Sequence, residues 1–134
     1  MIDKTIHFLE RHKMLLTFLF VAFTILTLLL TLMPSENLIE SKLWNYDKVG
    51  HALLFGSWTF LFGLYLLFAT KRELPLIAIF LIGSFFGISI EILQEILPIN
   101  RSGDPYDALT DIAGCGAAVI FLKLLTLKPR KRQN

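Results

Sequence analysis

Residues 74–97 read LPLIAIFLIGSFFGISIEILQEIL, and this stretch decides the fold. From Leu74 to Ile90 it holds no Lys, Arg, Asp or Glu. It is too long for a core strand. An apolar run of about 18 or more residues can cross the roughly 30 Å hydrocarbon layer as a helix. Pro75 sits in the first turn, where a helix tolerates it, and Pro98 stops the helix at the other end. Within the run, Gly83, Gly87 and Glu91 recur every fourth residue. One helical stripe therefore carries two small residues and then a carboxylate.

Working outward, three more stretches lack charge: Met14 to Ser35, Val49 to Thr70 and Ile112 to Leu122. The sequence predicts an all-α polytopic membrane protein, a four-transmembrane-helix bundle forming a single domain over 1–134. Its spans run at about 14–33, 47–70, 74–97 and 105–127. Composition agrees. Of 134 residues 54% are hydrophobic and 18% charged, against about 25% charged in soluble domains. Twelve Phe exceed what a soluble core of this size needs. Disordered chains, coiled coils and disulfide scaffolds are excluded. The single cysteine, Cys115, reads as a small packing residue between Gly114 and Gly116. The first span is too long for a signal-peptide core and reads as a retained anchor. Residues 34–46, with Trp44 and Tyr46, read as an amphipathic connector at the bilayer interface.

Basic residues set the expected orientation. Lys4, Arg11 and Lys13 precede the first span, Lys71 and Arg72 join the second and third, and Lys128, Arg130, Lys131 and Arg132 form a tail at 128–134. The positive-inside rule places both termini in the cytoplasm. That tail reads as a topology determinant, so no nucleic-acid partner is expected. Most acids then fall on the outward side.

The informative residues are ionisable groups inside or beside the spans, where a charge is costly and usually has a role. Asp47, Lys48 and His51 lie within about one turn at the outer start of the second span. Glu91 lies about 12 Å inside the outer end of the third, with Gln94 one turn beyond. Arg101 follows in the outer loop, where its planar fork suits a carboxylate or phosphate. Asp104 fits a helix N-cap, Pro105 the first helical position and Asp107 the third. Asp107, Asp111, Gly114 and Ala118 share one face of the fourth span. If the small-residue stripes of the third and fourth spans pack together, Glu91, Asp107 and Asp111 converge near His51 and Lys48 in an outward-facing polar pocket.

The spacing Asp47-Lys48-x-x-His51, Glu91-x-x-Gln94, Arg101-x-x-Asp104-x-x-Asp107 and the following Gly114 resembles the VanZ-like family of small bacterial membrane proteins. The resemblance spans about residues 14–127. It implies a multi-pass protein of the bacterial cytoplasmic membrane, in a family whose founding member is associated with low-level resistance to the glycopeptide teicoplanin. The family usually has Asn where this chain has Asp111.

Three readings follow. In the first, the pocket binds or acts on a cell-envelope lipid or glycopeptide. His51, Glu91 and Asp107 are then the catalytic candidates, and Asp47, Lys48, Gln94, Arg101 and Asp111 the ligand-binding ones. In the second, the polar cluster only holds the bundle together as a scaffold. The third, a metal site of His51, Glu91, Asp107 and Asp111, is the weakest from sequence, because no close ligand spacing such as His-Glu-x-x-His supports it. No nucleotide-binding or nucleophile-elbow motif is present, so no cofactor is expected. Four short helices also leave surface for association with a second copy or a partner in the membrane.

Overall fold

A computed structural model describes residues 11–34, 47–70 and 75–126. It contains α1 (Lys13–Leu32), α2 (Asp47–Leu64), α3 (Leu76–Ile96) and α4 (Pro105–Thr126). All are long and apolar enough to cross a membrane. Helices satisfy every backbone group within one segment, which an apolar solvent demands. With the π-helical turn that extends α2 to Ala69 counted, their starts and ends lie within two residues of the expected bounds. The connector 35–46, residues 71–74 and the basic tail from 127 onward lie outside the described residues.

α2 continues into a π-helical turn over Tyr65–Ala69, closed by a bond from the Thr70 amide to the Tyr65 carbonyl at 3.1 Å. Nothing in the sequence signals this widening. It leaves the Tyr65 ring stacked on Phe20 of α1 at 4.9 Å. Phe20, Trp58, Phe62 and Phe86 extend that contact, and the Trp58 indole donates to Thr24 at 3.0 Å. The phenylalanine excess thus serves in part to dock α1 onto its neighbours.

The two ends of the bundle differ in chemistry. At one end, Leu16 of α1, Leu64, Leu66 and Phe68 of α2 and its extension, Ile79 of α3 and Leu122 of α4 form a buried apolar cluster. At the other end α1 and α3 finish and α2 and α4 begin, and the buried residues there include His51, Glu91, Gln94, Asp107 and Asp111. Large apolar side chains such as Phe18, Ile25, Leu53, Phe85 and Phe121 stand exposed around the outside, as lipid-facing residues do.

Close packing is made by small residues, because lipid is as apolar as leucine and adds no hydrophobic drive between helices. The small-residue stripes of α3 and α4 meet in part. Gly87 of α3 does face α4, where an added Cβ would lie 2.9 Å from the Asp111 Cβ. Gly114 of α4 instead meets α2: a Cβ there would overlap the Ala52 carbonyl oxygen, and one on Gly56 would lie 2.9 Å from the Gly114 carbonyl. The α2–α4 contact is the most extensive in the bundle. Cys115 beside it is buried as expected, and it accepts a hydrogen bond from the Thr59 hydroxyl at 3.1 Å.

Candidate functional site

His51 is the hub of the polar end. It lies on the second turn of α2, and its ring stacks near Phe55, four residues on, at 6.0 Å. Its Nδ1 is 3.1 Å from Asp111 Oδ1 of α4 and 3.4 Å from Glu91 Oε1 of α3. On the ring's other side, Nε2 is 4.0 Å from Asp107 Oδ2. Two helices, α3 and α4, therefore bring three carboxylates to one imidazole on α2.

Two of the carboxylates, Glu91 and Asp107, are held from behind. The Asp104 amide donates to Glu91 Oε2 at 2.9 Å, so Glu91 joins the start of α4 to His51. Gly103 permits this approach: a Cβ there would overlap the Glu91 carbonyl oxygen. The Gly103 amide donates to Glu95 at 3.0 Å, at the exposed edge. Asp107 turns its other oxygen, Oδ1, to Lys48 Nζ at 2.9 Å. Lys48 also reaches Asp104 Oδ2 at 3.3 Å and lies 5.5 Å from the centre of the Tyr106 ring. The Lys48 side chain is 53% exposed and marks the mouth of the crevice, whereas Asp111 is fully buried at its floor. Asp104 is the N-cap expected of it: the Tyr106 amide donates to its Oδ1 at 2.8 Å. That bond, aided by Lys48, holds the Asp104 carboxyl below the usual range.

Gln94 and Arg101 turn to a different task. The Leu30 carbonyl of α1 has no helical donor, because residue 34, four positions on, is Pro34. Arg101 Nη1 donates to this carbonyl at 2.9 Å and to that of Thr31 at 2.8 Å. Gln94 Nε2 donates to the same Thr31 carbonyl at 2.8 Å. Both side chains cap the end of α1, where a cation also suits the helix dipole. The sequence marks both as ligand-binding candidates, and the structure shows these bonds to α1. Thr31 and Leu30 carry no sign of them in the sequence, because a cap donated by a distant segment leaves no local pattern. The Asp47 side chain, also expected at the site, lies outside the described residues.

The donor atoms of His51, Glu91 and Asp111 all lie within 4.8 Å of one another, close enough to share a metal ion. Asp107, the fourth residue of the metal alternative, approaches the opposite ring nitrogen.

With this geometry in hand, the chain can be placed among known proteins. A family profile described as VanZ/LLP1 matches residues 4–126. The chain belongs to the VanZ/LLP1 family. The match covers all four helices of this VanZ/LLP1 protein and every residue of the polar cluster. No curated protein and no solved structure matches it.

Proposed function

We propose that this chain works in the bacterial cytoplasmic membrane with both termini inside, and that its polar crevice opens to the outer leaflet. There it binds or acts on the headgroup of a cell-envelope lipid or an amphiphilic glycopeptide, with low-level teicoplanin resistance as the phenotype. The observation that carries the reading is the convergence of His51, Glu91, Asp107 and Asp111 from three helices on one crevice, with Lys48 at its mouth. A carboxylate buried in a membrane bundle is costly to keep without a role.

Basic residues support the orientation: Arg11 and Lys13 at the start of α1 and Lys123 in the last turn of α4 lie toward the apolar end of the bundle. Within the crevice, Lys48 engages the incoming headgroup. His51, poised by carboxylates on both ring nitrogens, moves a proton, and Glu91 and Asp107 hold it in position. Gln94 and Arg101 keep α1 against the crevice wall. The scaffold reading is favoured by those two residues, whose bonds to α1 have a structural purpose.

The test is replacement of His51, Glu91 or Asp107 by alanine in protein confirmed as folded and membrane-inserted. The proposal expects altered glycopeptide susceptibility or envelope-lipid composition with the bundle intact. Unchanged values in all three variants would reject it. Loss of phenotype only in step with loss of detergent stability would favour the scaffold.

A further inference from the structure

We propose that His51, Glu91 and Asp111 form a binding site for a divalent first-row transition-metal ion. Metal–nitrogen and metal–oxygen bonds of about 2.0–2.2 Å place neighbouring donors of a tetrahedral site roughly 3.3–3.6 Å apart. The His51 Nδ1 separations of 3.1 Å to Asp111 Oδ1 and 3.4 Å to Glu91 Oε1 lie close to that spacing, and one donor atom from each residue falls within 4.8 Å of the other two. The donors come from α2, α3 and α4, so the lack of a short ligand motif in the sequence is no argument against them. An imidazole with two carboxylates suits zinc, manganese or iron better than calcium or magnesium, which prefer oxygen alone.

A second observation points the same way. Glu91 is only 6% exposed, and its Oε1, aimed at the imidazole, has no hydrogen-bond partner among the described residues. Nδ1 carries at most one hydrogen, and the Asp111 oxygen is the closer acceptor. A buried carboxylate oxygen left without a bond is expensive, and a cation between the three donors would satisfy it. Its two charges would also match those of Glu91 and Asp111, while Lys48 is engaged by Asp104 and Asp107.

The surroundings are those a metal site needs. Asp107 faces Nε2 at 4.0 Å and is itself fixed by Lys48, so a carboxylate stands behind the ligating imidazole. The Asp104 amide fixes the second oxygen of Glu91. Three protein donors leave a fourth position open, the arrangement of reactive rather than purely structural sites. A metal there would cancel the charges of Glu91 and Asp111 and offer its open coordination position to an oxygen of an anionic headgroup. That consequence rests on the proposed function; the ion site does not.

The experiment uses full-length protein in detergent, stripped with chelator and titrated separately with zinc, manganese and calcium chlorides. Bound metal is counted by elemental analysis after dialysis, and thermal unfolding is followed in parallel. One zinc or manganese ion per chain, a raised melting temperature and little response to calcium are expected. Glu91→Gln and Asp111→Asn keep side-chain volume and an oxygen at the site; each should weaken binding at least tenfold while eluting as folded protein. Glu95→Gln, at the exposed edge, should bind as the parent does. No bound ion in the parent protein, or equal binding in Glu91→Gln, Asp111→Asn and the parent, would overturn the proposal. Metal binding without any envelope phenotype would sink the lipid reading and leave the site standing.

Discussion

Gly114→Ala tests the contact on which the crevice depends. Its new Cβ would overlap the Ala52 carbonyl oxygen and lie 2.9 Å and 3.0 Å from the Ala52 carbonyl carbon and Cα. Carbon atoms rest comfortably at about 3.5–4.0 Å, so α2 and α4 must part by about 0.5–1 Å. The obstacle is backbone in the middle of a helix, which cannot rotate aside. Overpacking of this kind costs about 1–3 kcal/mol. Ala52 directly follows His51, and Gly114 lies three residues after Asp111, so the same wedge lengthens the 3.1 Å His51–Asp111 contact. The assay is reversible unfolding in mixed SDS and mild-detergent micelles, followed by circular dichroism. Gly116→Ala is the control: its Cβ would meet only Phe80 Cε2 at 3.8 Å. Better helix propensity there should give no loss, or a gain of up to about 1 kcal/mol. Equal stability for Gly114→Ala and Gly116→Ala would refute the reasoning.

Arg101→Leu should cost about 1–3 kcal/mol, because it strips donors from the Leu30 and Thr31 carbonyls; the same unfolding assay checks it, and a variant as stable as the parent would remove the cap from the account. Asp104, held low by the Tyr106 amide and Lys48, stabilises the fold above its ordinary value near pH 3.9 and loses that contribution as pH falls through its lower folded value. Asp104→Ala should therefore flatten the acid side of the stability profile, and an unchanged acid limb would contradict this. For orientation, in a Cys115→Ala background, a cysteine placed at Lys48 should react with a membrane-impermeant reagent added to intact spheroplasts; labelling only after lysis would reverse the topology.

Much of the architecture is legible in the sequence because membrane solvation makes charge-free length a strong signal. The meeting of His51 with Glu91, Asp107 and Asp111 is legible for a related reason: a carboxylate on a small-residue stripe has to face protein rather than lipid. What resists reading is which helix each stripe meets. Gly114 and Gly87 lie on like patterns, yet one packs on α2 and the other on α4. The roles of Gln94 and Arg101 are equally hidden, since both answer carbonyls more than sixty residues away. The π-helical turn at Tyr65–Ala69 has no mark in the sequence that we can identify.

The most direct test of the central claim is a double-mutant cycle on unfolding stability with His51→Ala, Asp111→Ala and both together. Side chains in contact at a buried site should couple by about 1–3 kcal/mol, the double variant losing less than the two single losses combined. Additivity to within about 0.5 kcal/mol would mean that imidazole and carboxylate do not meet, and the crevice would go with them.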